Sequence, residues 1–126
     1  MRVKNKKAEN IIELAMEKMP IDYFGYYTLV EPFAEGYYEI DKKEKAREIL
    51  KKLITKYHEE LNYYKGFDIS KTDRDTDFEI ISNIERYRSL LEIAKRADDV
   101  TFYNQEKIKF NNYNKMFSEY KRKNLE

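Results

Sequence analysis

Apolar residues return every three or four positions along most of this chain, in five separate segments. Ala8, Ile11, Ile12, Ala15 and Met19 share one face of a helix predicted over about 4–19. Pro20 stops it, and "IDYFGY" follows as a connector. Further helices are expected over about 26–40, 42–64, 77–97 and 100–120. Asp41 with Glu44, and Thr76 with Glu79, have capping-box spacing, which would satisfy orphan amides where the third and fourth helices start. Thr28 with Glu31 is another such pair, placing Pro32 just past a first turn, where its missing N–H costs little; the alternative is a longer helix kinked at Pro32. Gly66 ends the third helix, "FDISKTDRD" is the longest polar loop, and "RADD" makes a tight turn. The tail "KRKNLE" is expected to fray. No segment alternates with period two, so no strand is expected.

The helices fall into a repeating register. Ala34 and Tyr37 are spaced like the small residue and the tyrosine in the first helix of a tetratricopeptide unit, and Ala46 and Leu50 like the small and large residues of its second. Leu53 continues that apolar face. Ala8, Ile12, Ala15 and Pro20 repeat the second-helix pattern 38 positions upstream, which implies a four-residue insertion in the connector of a 34-residue repeat. Leu91, Ala94 and Tyr103 give a weaker third unit, with bulky Tyr103 where a small residue belongs. Small residues let the paired helices approach, and large ones fill the space to the next pair. The expected fold is therefore all-α, a right-handed tetratricopeptide-like (TPR-like) array of about five helices in one domain, 1–126. A generic helical bundle with alanines in register by chance is the alternative.

Composition narrows the function classes. The 126 residues can bury a core without a metal or disulfide staple. Basic residues number 25 and acidic 24, interleaved along the chain, so the basic stripe expected of a nucleic-acid binder is missing. Charged residues at 39% with three Gly and two Pro suit long solvated helices. Cysteine is absent, which removes disulfides, thiol nucleophiles and Cys-based zinc sites. The basic, amphipathic N-terminus lacks the apolar core and cleavage site of a signal peptide. No apolar run approaches the roughly 20 residues of a membrane span, so the chain as given is expected to be soluble.

Candidate chemistry is sparse. His58, in "KYHEEL", is the one histidine; Asn62 stands where a second zinc-binding histidine would be, and a solvated surface position is expected. Asp73, Asp75, Asp77 and Glu79 resemble the opening of a calcium loop, but Phe78 replaces its glycine and Ile84 its closing glutamate. Helix capping is the expected role. Gly25, Gly36 and Gly66 form no phosphate loop, and Ser70, Ser82, Ser89 and Ser118 have no base at a recognisable spacing. Catalytic, cofactor-binding and metal-binding residues are therefore assigned nowhere, and no cofactor is expected.

Twelve tyrosines, with doublets at Tyr26/Tyr27, Tyr37/Tyr38 and Tyr63/Tyr64, leave one member of each doublet able to face outward. In the repeat register Thr28, Glu31, Glu35, Tyr38 and Glu39 line the inner groove. Chaperone-tail-binding members of that superfamily carry Lys and Asn in such a groove. Glutamates here point instead to a neutral or basic protein or peptide partner.

The segments "EKMP", "LVEPFAEGYY", "EKAREILKKL", "YY" (Tyr63, Tyr64) and "ERYRSLLEIA" resemble the C-terminal tail of large bacterial membrane proteins of the Bacteroides group, domains of unknown function similar to protein O-mannosyltransferases. The likeness runs to about Ala97. It implies a non-catalytic accessory module, facing the periplasm, whose parent glycosyltransferase-like membrane domain lies elsewhere, so no catalytic residue carries over. A free-standing cytoplasmic TPR-like adaptor is the alternative. The chain also opens on a second-type repeat helix without its cover, so Ile11, Ile12 and Ala15 are expected to form a self-association face, as in a homodimer.

Overall fold

Six helices and no strand make up the described residues, 2–18 and 30–125, of the computed structural model. They are α1 (Arg2–Lys18), α2 (Glu31–Glu39), α3 (Lys43–Tyr64), α4 (Arg74–Arg96), α5 (Val100–Met116) and α6 (Ser118–Leu125). The connector after α1 and the beginning of the expected second helix lie outside the described residues. No helix among those described is long and apolar enough to cross a membrane.

Each of α2 to α5 packs on the next helix in sequence, α2 against α3 most extensively, and α4 also touches both α2 and α6. Ala34, Ala46 and Ala94 are fully buried, so these helices meet without side chains holding them apart. Leu50, Leu53, Tyr57 and Leu61 on α3, with Ile80, Tyr87 and Leu90 on α4, supply most of the fully buried volume. Burying one such leucine fully is worth about 1.5–3 kcal/mol.

The helix starts differ from the expected capping boxes. Asp73, not Thr76, caps α4: its carboxylate accepts from the Thr76 amide at 2.8 Å, so α4 begins at Arg74, earlier than expected. Thr76 then lies within the first turn. No capping box opens α3 either, because Asp41 sits in the left-handed region (φ 60°) and closes α2 instead.

Two turns share one geometry. After α2 the Lys42 amide reaches back to the Tyr37 carbonyl (2.8 Å) and Asp41 to Tyr38 (3.1 Å). After α4 the Asp99 amide reaches the Ala94 carbonyl (3.0 Å) and Asp98, at φ 58°, reaches Lys95 (3.1 Å). Both are Schellman closures with aspartate where glycine is usual. The α2–α3 and α4–α5 hairpins are thus closed by the same device.

At the C-terminal end the expected fifth helix is two. Phe117 interrupts it, and the Ser118 hydroxyl donates to the Lys115 carbonyl at 2.9 Å. The tail expected to fray continues as α6 through Leu125, anchored by buried Phe117 and Tyr120. The anchor is a period-3 pair of aromatics, Phe117 and Tyr120, whose rings lie 5.6 Å apart.

Helix α1 packs on α2. Ile12 lies so close to Gly36 that a Cβ there would come within 3.0 Å of Ile12 Cδ1. Buried Glu9 faces Lys42 (3.3 Å) and Lys45 (3.4 Å), and Lys45 also pairs with Glu13. The proposed self-association set therefore divides. Ile12 and Ala15 are half-buried with Ile12 against the core, whereas Ile11 is 67% and its neighbour Leu14 53% exposed.

Candidate functional site: two clefts of opposite charge

Three of the five groove residues meet at one place. Glu35, Tyr38 and Glu39 of α2 line a cleft of about 310 Å³ with Ile93, Arg96 and Ala97 at the end of α4. Glu35, Tyr38 and Glu39 lie three and four positions apart around a helix, which puts them on one face. Glu31, one turn earlier, is half-buried beside them; burial first and the Glu35 carboxylate second push its carboxyl above the usual range. Thr28 lies outside the described residues. Arg96 approaches Glu35 at 3.8 Å, and with both side chains exposed the pair is weak.

Beside this cleft sits a network that helical periodicity does not foretell. Tyr38 donates its hydroxyl to Asp99 Oδ2 at 2.8 Å, and Arg47 Nε donates to the same oxygen at 2.7 Å. The Arg47 guanidinium completes a two-pronged grip on Oδ1. Asp99 is 1% exposed, so the α4–α5 turn is tied at a buried point to α2 and α3. The Arg47 hydrogen bonds hold the Asp99 carboxyl below the ordinary carboxylate range. Burial and then Asp99 hold the Tyr38 hydroxyl protonated well above its usual range. In the sequence Asp99 reads only as half of a turn doublet, and no spacing links it to Arg47.

The second cleft forms around His58, which is not the solvated surface residue the sequence suggests. It is half-buried between α3, α4 and α5, its Nε2 2.6 Å from the Tyr87 hydroxyl and its ring 4.9 Å from that of Tyr113. Burial lowers its pKa; Glu106 opposes and Lys109 adds to the shift. Tyr113 in turn donates to Asn62 Oδ1 at 3.0 Å, stitching α5 to α3. To one side lies a space of about 720 Å³ lined by His58, Asn62, Lys65, Lys109, Asn112, Tyr113, Lys115 and Met116. To the other lies about 360 Å³ walled by residues including Lys51, Thr55, Gln105 and Glu106. His58 and Lys109 border both, so the two spaces adjoin in a trough along α3 and α5.

Two aspartates of the calcium-like stretch serve folding. Asp73 caps α4, and buried Asp77 accepts from the Thr72 hydroxyl at 2.6 Å. Among the described residues no three His, Asp or Glu side chains are grouped to hold a metal ion. Comparison with protein-family models, curated proteins and solved structures gives no match to this chain.

Proposed function

We propose that the chain is a non-catalytic, tetratricopeptide-like helical-repeat module that docks a neutral-to-basic peptide between α2 and α4. One observation carries this: Glu35, Tyr38 and Glu39, selected by repeat register, line a single cleft with α4. Two further features support the repeat reading. The α2–α3 and α4–α5 hairpins close through the same aspartate turn, and the described helices pack on their sequence neighbours, as stacked repeats do. Charge selects the partner. Glu35 and Glu39 outnumber Arg96 at the rim, with Glu31 behind them, so cationic side chains gain there and acidic ones are repelled. The tyrosine wall gives apolar contact at low entropic cost, since the Asp99 bond already fixes the Tyr38 ring.

The wider setting we propose is the accessory tail of a membrane glycosyltransferase-like protein, with membrane spans supplied by another segment of that parent. That part rests on the resemblance of the quoted segments alone.

The test is fluorescence anisotropy with a labelled eight-residue Lys/Ala peptide. Saturable binding is expected, weakened about tenfold (~1.4 kcal/mol) in the Glu35→Lys/Glu39→Lys variant. Saturable binding left untouched by that variant, or none at all, would overturn the reading.

A further inference from the structure

The trough along α3 and α5 has a different character from the cleft just assigned, and the case for it does not depend on that assignment. Four lysines line it: Lys51 and Lys65 from α3 and its end, Lys109 and Lys115 from α5. Its one acid among the described residues, Glu106, is buried and already faces Lys109 at 3.7 Å. Lys65 and Lys115 make no ion pair among the described residues. Bringing these cations to one surface costs self-repulsion, and nothing in the core requires it, since Lys65, Lys109 and Lys115 are exposed.

Three further properties describe the occupant. Along α3, Lys51 to Lys65 spans about 21 Å of helix axis, the length of about six residues of extended chain. Between the lysines stand Asn62, Asn112 and Gln105, whose side-chain amides can both donate to and accept from a peptide backbone. Among the described residues no arginine lines either part of the trough, so the two-pronged grip that favours phosphate groups is missing there. Lysine point charges suit carboxylates spaced along a chain, and Tyr113, Ile54 and Met116 add apolar contact.

We infer that the α3–α5 trough is a second docking site, for an extended acidic peptide segment of a partner protein. His58 marks its centre, half-buried against the rings of Tyr87 and Tyr113 and open to both halves of the trough.

The experiment titrates the full chain into a labelled peptide of eight Asp and Glu residues, read by anisotropy at low salt. Saturable binding is expected, weakened at least tenfold in Lys65→Glu/Lys115→Glu and little changed in Lys7→Glu/Lys71→Glu, which alters net charge equally. Both variants alter exposed side chains, and circular dichroism melts should match the parent. Equal loss in the two variants would make the attraction a property of net charge and overturn the site. Absence of saturable binding would overturn it also. An eight-nucleotide oligothymidylate that binds more tightly than the peptide would reassign the trough to nucleic acid. Failure of this acidic-peptide experiment leaves the basic-peptide result at the α2–α4 cleft untouched, so the two assignments fall separately.

Discussion

The cleft between α2 and α4 is acidic and built beside a locked network, whereas the trough between α3 and α5 is basic and holds two lysines that make no ion pair among the described residues. In the first, Tyr38 and Arg47 both donate to Asp99 at a buried point, and Glu35 faces Arg96 across the opening. In the second, Tyr113 bonds Asn62 from α5 to α3, and His58 reaches Tyr87 on α4. The difference teaches where charge is part of the fold and where it is only displayed. Removing Asp99 or Arg47 attacks the scaffold, while removing Lys65 or Lys115 changes the surface alone.

The sharpest way to break that contrast is Arg47→Ala. It leaves the Asp99 carboxylate buried without its cation, a change that costs about 3–5 kcal/mol. Urea denaturation should show that loss, and Lys115→Ala should stay within about 0.5 kcal/mol of the parent. The same network predicts acid sensitivity. Asp99 has its folded pKa depressed, so its contribution is complete above the unfolded value, about 3.9, and fades as pH falls through the lower folded value. Urea midpoints measured from pH 6 down to 2 should fall more steeply in the parent than in Asp99→Asn.

Crossed charge reversals come next in size. Glu35→Lys/Glu39→Lys should weaken the basic peptide about tenfold (~1.4 kcal/mol) and leave the acidic peptide unchanged. Lys65→Glu/Lys115→Glu should do the reverse. Anisotropy with both peptides on both variants gives four results that one shared site could not produce.

The turns offer a smaller gain. Asp98→Gly relieves a left-handed backbone that L-residues resist by about 1–2 kcal/mol, less for aspartate, which tolerates it. A rise in stability of up to about 1 kcal/mol is expected from thermal melts, with a similar rise for Asp41→Gly if the hairpins are equivalent.

His58 supplies a graded readout of the trough. It faces Tyr87 from α4 and Tyr113, Glu106 and Lys109 from α5, and burial dominates its lowered pKa. The folded chain therefore prefers neutral His58. That preference is fully present above the ordinary value of 6.5 and is lost as pH falls through the folded value. An NMR titration should give a midpoint below 6.5, and the acidic peptide should raise it. The smallest effect belongs to Ile11→Glu on α1, away from both clefts and exposed. Stability within about 0.5 kcal/mol of the parent is expected, whereas Ile12→Glu should loosen α1 from Gly36.

Much of this is legible in the sequence. Helical periodicity located α1 to α5 but not the separate α6, and the register of Ala34, Tyr37, Ala46 and Leu50 matched buried positions, because both signals are local and repeat with the helix. The grouping of Glu35, Tyr38 and Glu39 followed for the same reason. What the residues did not reveal depends on contacts between distant segments. Arg47 meets Asp99 across 52 positions and His58 meets Tyr87 across 29, and no periodicity connects either pair. The capping assignments missed on a finer point. Asp41, expected to open α3, was instead drawn into a left-handed turn by the Schellman bonds that close α2, and Asp73 rather than Thr76 caps α4.

The central claim is that the molecule presents two independent peptide sites of opposite charge. It is tested most directly by adding the Lys/Ala peptide and then the Asp/Glu peptide to isotope-labelled protein and following backbone amide shifts by NMR. The account predicts that the first moves Glu35, Tyr38, Ile93 and Arg96, and the second moves His58, Asn62, Lys109 and Tyr113, each set indifferent to the other peptide. Both peptides moving one common set, or neither moving any, would contradict it.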